Sequence, residues 1–202
     1  RIISLIIFNQ TKKNYMKKNF LFAACCMLLL ACNNEKKDDG KMDDGKKDTM
    51  SSGDKKPASE LLDLSAADPI KKSFAAFAKG DVDGMVADFD DNIRYTWSGG
   101  DSVIGKQAVK DYYTGRLKLI QSISYSNEIV LPLQVNESQS PAAPTGKWVL
   151  YWTMADVTYK NGKNLKFWMH NANHFNDAGK VDFVGQYMDR HPIMEATKDL
   201  MK

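Results

Sequence analysis

Helical patterns precede strand patterns in this chain, and that order restricts its fold more than any single motif does. Apolar residues recur at helical spacing behind Asp68-Pro69, an N-cap followed by proline, and Gly80 ends the pattern. Asp81 can cap a second helix, and residues 105–116 predict a third. Later segments predict long strands, at residues 120–134, 147–159, 163–175 and 181–188. Helices gathered first and strands afterwards indicate an α+β fold, with helices on one face of a bent antiparallel sheet.

Three smaller features complete this pattern. Ile93, Tyr95 and Trp97 alternate with polar residues and predict one early strand. Asn161-Gly162 lies between two of the long strands and suits a type I′ hairpin turn. Residues 192–202 predict a terminal helix.

Four short pieces of sequence carry a family resemblance: Phe74-Ala75-Ala76-Phe77 before Gly80-Asp81, Phe89-Asp90-Asp91, Gly105-Lys106, and residues 175–181. In this order, over about residues 66–189, they resemble the nuclear transport factor 2-like superfamily, and its SnoaL-like branch most closely. The resemblance implies a cone-shaped α+β half-barrel of the cystatin-like kind, whose N-terminal helices and strongly curved antiparallel sheet enclose a pocket. It also implies frequent dimerisation through the sheet. The superfamily contains isomerases, dehydratases, polyketide cyclases and members that only bind or associate.

The catalytic residues of the best-understood enzyme relative do not carry over. Ketosteroid isomerase uses an aspartate base, with a tyrosine and a protonated aspartate as hydrogen-bond donors. By the same resemblance, the tyrosine position holds Ser73, the base position Trp97 and the second aspartate position Asn171. The resemblance therefore does not imply a steroid isomerase, although Asn171 could still donate to a ligand oxygen.

Strand alternation, read with the resemblance, predicts which side chains face the pocket. The lining would be apolar and aromatic with a few amides, which suits a small, mostly hydrophobic molecule with polar substituents. The predicted ligand-binding residues are Tyr95, Trp97, Trp152, Met154, Asn171, Asn173, Val184, Gln186 and Met188.

Asp156 is the predicted catalytic residue, because the same alternation turns it toward this pocket. An unpaired carboxylate among Trp and Met side chains would have a raised pKa and could act as a general base. The alternative is that Asp156 pairs with a lysine or arginine, or faces water, because a one-residue change of register reverses every facing assignment.

Neither a metal nor another cofactor is expected. His170 and His174 are four residues apart, which in a strand separates them by about 13 Å, too far for one ion. No phosphate-loop lysine follows Gly99-Gly100 at the required spacing.

Residues 16–32 have the form of a bacterial lipoprotein signal. A charged start and a short apolar stretch end in Leu28-Leu29-Leu30-Ala31-Cys32, which resembles a lipobox. We therefore expect acylation of Cys32 and attachment to a membrane of the cell envelope, the outer membrane. The expected organisation is an over-extended gene start at 1–15, a signal peptide at 16–31, a disordered charged tether at 32–57 and a SnoaL-like domain at 58–202.

Removal of this signal reverses the net charge. Five of the 28 basic residues and none of the 25 acidic residues precede Cys32, so the mature chain carries a net charge of −2. That balance favours no nucleic-acid partner.

Three functions remain open at this point. The chain could hold a small apolar or amphipathic ligand without turnover. It could instead be a cofactor-free isomerase, dehydratase or cyclase, with Asp156 as base and Asn171 or Gln186 steadying an oxyanion. It could also be an interaction module that forms a homodimer through its outer sheet face, where Tyr151, Val157 and Tyr159 are expected.

Overall fold

A computed structural model describes residues 56–201 of the chain. A short 3-10 helix at Leu64–Ala67 precedes four α-helices: α1 (Asp68–Ala78), α2 (Val82–Met85), α3 (Lys106–Leu117) and α4 (His191–Thr197). The seven strands are β1 (Ser59–Leu61), β2 (Phe89–Trp97), β3 (Ser102–Ile104), β4 (Ile120–Val135), β5 (Gly146–Tyr159), β6 (Asn164–Phe175) and β7 (Val181–Tyr187). The α+β class and the early helices are confirmed, whereas β1 and β3 were not predicted.

All seven strands form one sheet, in the order β1-β4-β5-β6-β7-β2-β3. Neighbours are antiparallel except β2 and β7, which run parallel, with Tyr95 beside Val184 and Trp97 beside Gln186. The predicted wholly antiparallel sheet is therefore wrong in this pair. The chain reaches β7 through the antiparallel series β4-β5-β6-β7, and β7 then lies beside β2 in the same direction.

The caps of the first two helices follow the sequence. Proline stands in the first turn of α1, and Gly80 beyond its end has a φ of 79°, a left-handed conformation that favours glycine. The Asp81 carboxylate accepts a hydrogen bond from the Gly84 amide at 2.8 Å and so caps α2.

The helices cover one face of the sheet, and the main core lies between them. Tyr95, Tyr151 and Ile93 of the sheet are fully or almost fully buried there. Phe74 of α1 packs its ring 4.5 Å from that of Tyr151 and 4.9 Å from that of Tyr125. Burial of aromatic side chains is a large favourable term, so these contacts hold α1 on the sheet.

The inner face of β5 is the opposite of the predicted one. Tyr151 pairs with Asn171 of β6, and directly opposed residues of antiparallel strands point to the same face. Because Asn171 is buried on the inner face, Tyr151 lies there too, and Trp152 faces outward. The expectation that Tyr151, Val157 and Tyr159 lie on the outer face is therefore wrong.

The hairpin turn between β5 and β6 also differs from its prediction. Tyr159 and Lys163 close a three-residue loop, in which only Gly162 has a positive φ, at 81°. A type I′ turn needs positive φ at two residues, so this is instead a loop that ends in a left-handed glycine. The predicted hairpin is confirmed and its turn type is wrong.

A bulge interrupts β4. The register of β4 against β5 shifts between Ser126 and Ile129, and Asn127 there has a φ of 54°. A bulge bends its strand, and in β4 it leaves Val130 opposite Tyr151 on the inner face.

No helix among residues 56–201 is long and apolar enough to span a bilayer. The predicted signal peptide, Cys32 and almost all of the predicted tether lie outside the described residues.

Candidate functional site

A cavity of about 120 Å³ lies between the helices and the inner face of the sheet. Its walls come from all four α-helices and from strands β2 and β4–β7, so the fold brings together residues more than 120 positions apart in sequence. Most lining side chains are aliphatic or aromatic, with the amides of Asn171, Asn173 and Gln186 among them.

Six of the nine predicted ligand-binding residues line this cavity. They come from β2, β6, β7 and the residue that follows β7, where the predicted facing agrees with the structure: Tyr95, Asn171, Asn173, Val184, Gln186 and Met188. Whether they bind a ligand stays a prediction.

Trp97 stands behind the cavity wall. Its side chain is buried, and its Nε1 donates a hydrogen bond to Gln186 Oε1 at 3.1 Å. Its ring packs 4.5 Å from that of Tyr112, which does line the cavity. Trp97 therefore positions lining residues rather than forming the surface of the cavity.

Trp152 and Met154 lie on the outer face of the sheet, so their predicted pocket positions are wrong. Trp152 stacks on His170 with the ring centres 4.4 Å apart. Met154 is paired with Trp168, which is also on the outer face. The predicted assignment of β5 was displaced by one residue, and because alternate residues point to opposite faces, this displacement reverses every side chain of the strand.

Asp156 is also on the outer face, and the prediction that it is a pocket base is wrong. Its carboxylate accepts a hydrogen bond from Asn164 Nδ2 at 2.7 Å and lies 3.0 Å from Lys166 Nζ. The hydrogen bond from Asn164, which is the largest single cause, and the interaction with Lys166 lower the pKa of Asp156 below its usual value. A general base in an apolar pocket needs the opposite shift, so the alternative reading of Asp156, as a paired residue that faces outward, is the correct one.

A hydrogen-bonded network forms the polar part of the cavity wall. Tyr113 Oη lies 2.6 Å from Tyr95 Oη and 3.3 Å from Gln186 Oε1. Gln186 Nε2 donates to Asn171 Oδ1 at 3.3 Å, while Gln186 Oε1 also accepts from Trp97. Sequence reasoning found four of these five residues and missed Tyr113, because an aromatic residue on a helix gives the same pattern whether or not its hydroxyl is bonded.

Burial raises the pKa of Tyr95 and of Tyr113, so both hydroxyls keep their protons at neutral pH. Each phenol has one proton to donate. If Tyr113 donates to Tyr95, the Tyr95 proton is free for an oxygen of a ligand in the cavity. In that arrangement Tyr113 no longer donates to Gln186, which keeps its bonds to Trp97 and Asn171, and the network can donate one hydrogen bond to a guest molecule.

The described residues lining the cavity include no carboxylate and no imidazole. Ser73, which the resemblance placed at the tyrosine position of ketosteroid isomerase, does line the cavity, but its hydroxyl donates to the backbone oxygen of Met85 at 2.7 Å. Among residues 56–201, no group of three His, Cys, Asp or Glu side chains could hold a metal ion. The lining thus provides hydrogen-bond donors but no ordinary proton acceptor.

The terminal helix α4 covers part of the cavity. Ile193 and Met194 contribute to its lining, and Ile193 and Ala196 pack against inner residues of β5 and β6. Asn161 Nδ2 donates to the Ala196 backbone oxygen at 2.8 Å, which ties the helix to the β5–β6 turn. The sequence predicted this helix but not its position over the cavity.

Two arginines also line the cavity, and neither was singled out from the sequence. Arg190 forms an ion pair with Asp101, in which its Nη1 donates to both carboxylate oxygens, at 2.5 and 2.8 Å. Arg116 lies in the last turn of α3, beside the Tyr159 hydroxyl, and opposes the rise in the pKa of Tyr159 that burial causes.

Residues 70–183, more than half of the chain, match the sequence pattern of the SnoaL-like domain. No curated protein matches the chain significantly.

Solved structures share the fold at low sequence identity. A Bacillus subtilis protein provisionally named an isomerase is 18% identical, with 66% of this chain and 92% of that one covered and a TM-score of 0.54. A provisionally named polyketide cyclase from a Silicibacter species is 16% identical, with 67% and 97% covered and a TM-score of 0.53. A Burkholderia pseudomallei protein described as nuclear transport factor 2-like is 15% identical, with 66% and 97% covered and a TM-score of 0.49. The predicted α+β fold of a SnoaL-like domain is confirmed, and identities this low carry nothing beyond the fold.

Proposed function

Because the chain belongs to the family of SnoaL-like domains, we propose that its cavity binds a small, mostly apolar molecule and holds it without converting it. The observation that carries this proposal is a cavity with an apolar wall and a connected set of buried hydrogen-bond donors, but with no carboxylate or imidazole among the described lining residues. Such a lining can recognise a molecule more readily than it can move a proton from carbon.

The size of the cavity supports a ligand body about as large as one ring. Its volume of about 120 Å³ is close to that of an engineered apolar cavity of about 150 Å³, which stays dry and binds benzene. Tyr95 and Asn171 would then fix the orientation of the ligand through one of its oxygens.

Catalysis is the second candidate. It is favoured by the same donors, because a protonated Tyr95 or the Asn171 amide could stabilise negative charge that develops on an oxygen. An isomerase or cyclase would also need a base, and Asp156 lies on the opposite face of the sheet. A functional group of the ligand itself would have to act as that base, so binding without turnover is the simpler function.

Native mass spectrometry of the full chain, before and after mild denaturation, tests the binding proposal. We expect an extra mass that is lost on unfolding, and its loss from Ala155→Leu, which places a larger side chain in the cavity wall. Trp152→Ala is the matched control on the outer face of the same strand and should keep the mass. A mass that Ala155→Leu retains would place the ligand elsewhere, and release of a chemically altered ligand would favour the enzyme.

We also propose that acylated Cys32 holds the chain on an envelope membrane, as the sequence before it indicates. Two or more acyl chains give stable anchoring, whereas one chain alone binds only marginally. Labelling of bacteria that express the chain with a palmitate analogue should mark the wild type and not Cys32→Ala. Equal labelling, or equal recovery of the two in the soluble fraction, would contradict the anchor.

The outer face of the sheet supports a further proposal, that two copies of the chain meet there. Ile129, Trp152, His170 and Tyr187 lie side by side across four strands, and Trp168 beside them is 47% exposed. This row contains no carboxylate or ammonium group, so the same row of a second copy would meet no like charge in it. An exposed apolar area of this kind is typical of an association site.

A further inference from the structure

Arg116 differs from the other cation of the cavity in having no acidic partner. Arg190 is already paired with Asp101, both of whose carboxylate oxygens accept from its Nη1, and it lies over the Trp97 ring, 5.6 Å away. Arg116 lines the same cavity, and no carboxylate among residues 56–201 forms an ion pair with it. One positive charge of the cavity is therefore not neutralised by the described part of the protein.

The position of Arg116 in α3 explains only part of this arrangement. A cation in the last turn of a helix interacts favourably with the helix dipole, which stabilises Arg116 where it is. The dipole does not, however, supply hydrogen-bond acceptors for the five N–H groups of a guanidinium. Arg116 is close enough to the Tyr159 and Tyr113 hydroxyls to oppose the rise in pKa that burial causes at each. The single oxygen of a phenol can accept from only some of the five N–H groups of the Arg116 guanidinium.

The surroundings favour an anion over a neutral acceptor. The described lining contains no Asp or Glu that would repel one, and its apolar walls weaken the screening of charge by water. A guanidinium binds a planar carboxylate through two parallel N–H···O bonds, which adds geometric specificity to the charge interaction.

We propose that the ligand of this cavity is an anion, with an apolar body of about one ring and an acidic group, a carboxylate or an acidic enol or phenol, that pairs with Arg116. The proposal rests on the proposed binding function and makes it more specific. The apolar body fills the chamber between α1, α4 and the sheet, and the acidic group lies at Arg116, where α3 ends. Arg190 remains with Asp101 and helps to form the wall.

Calorimetric titration of the full chain with benzoate and with benzamide at pH 7 tests the proposal. The two probes have almost the same size and differ in charge. We expect benzoate to bind at least about tenfold more tightly than benzamide, since a hydrogen bond to a charged group is worth more than a neutral one. In Arg116→Gln this preference should disappear while benzamide binds as before, and Arg116→Lys should retain part of it.

Arg94→Gln is the matched control, because Arg94 is exposed and does not line the cavity. It should keep the full preference for benzoate. Equal affinities of the wild type for the two probes would overturn the anion proposal and leave the binding function standing. A preference that survives in Arg116→Gln would also overturn it. If neither probe binds and neutral toluene does not bind either, the proposed function fails together with the anion.

Discussion

Gln186 is the residue on which the polar wall of the cavity depends. Its side-chain oxygen accepts from Trp97 and lies within reach of Tyr113, and its nitrogen donates to Asn171. All four groups are buried, so each needs a partner inside the protein. The residue is stabilising mainly because its loss would leave the others unpaired.

Replacement of Gln186 by leucine should lower the free energy of unfolding by about 2–4 kcal/mol, because a buried polar group without a partner costs about 1–3 kcal/mol. Gln107→Leu is the matched control, since Gln107 is exposed on α3 and bonds only Asp111. Urea denaturation measures both. A loss in Gln186→Leu no larger than that in Gln107→Leu would contradict the network.

Replacement of Asp156 by asparagine should leave ligand binding unchanged. The carboxylate faces outward and pairs with Lys166, so its charge does not reach the cavity. Titration of the variant with toluene or benzoate provides the test. Loss of binding with the fold intact would mean that the inner and outer faces of β5 have been assigned the wrong way round.

At the level of elements, alternation shows that a strand has two faces, but only its pairing shows which one is buried. The sequence of β5 has large side chains on both sides, Tyr151 on one and Trp152 on the other, so periodicity alone could not decide. On β6 and β7 the inward residues were predicted correctly. Pairing Tyr151 with Asn171 would have corrected β5, but this register depends on the loop ending in Gly162, which differs from the predicted turn.

The terminal helix α4 should control access to the cavity, because Ile193 anchors it over the chamber. Ile193→Ala removes buried contacts worth about 2–5 kcal/mol in typical cores. We expect amide exchange in residues 191–200 to accelerate at least about tenfold and bound toluene to leave faster. Glu195→Ala, an exposed change on the same helix, should do neither. Unchanged exchange in Ile193→Ala would show that α4 is held by other contacts.

For the whole molecule, element order was enough to predict the α+β class, and the resemblance of four short pieces of sequence predicted the family. They could not predict the parallel pairing of β2 with β7, or that Arg116 and Asn171 would line one cavity, because these contacts join distant parts of the chain. The cavity is a property of the complete sheet and helices together.

If two copies of the chain associate through the outer face, Trp168→Glu should convert a dimer into a monomer. The new carboxylate would have to be buried against an apolar partner surface, which is unfavourable. Sedimentation velocity measures the change. Ile104→Glu is the control, because Ile104 is 68% exposed on β3, the edge strand three positions away from β6 in the sheet. A wild type that is monomeric at high concentration would contradict the association.

His170 adds a pH dependence to stability. Burial lowers its pKa below 6.5, so the unfolded chain takes up a proton at a higher pH than the folded one. The free energy of unfolding should therefore fall as the pH drops from about 6.5 through the folded-state pKa. His170→Gln should reduce this fall in denaturation curves recorded at pH 7.5 and pH 5. An identical pH dependence in the two proteins would contradict the role of His170.

Methyl-detected NMR of the full chain with toluene, a neutral ring-sized probe, tests the ligand cavity most directly. Binding inside the cavity should give shift changes and intermolecular contacts at the methyl groups of Met169, Val184 and Ile193, which line it. The outward-facing Met154 and Ile129 should not respond. No response at saturating toluene, or contacts confined to the outer face, would contradict a ligand-binding cavity in this protein.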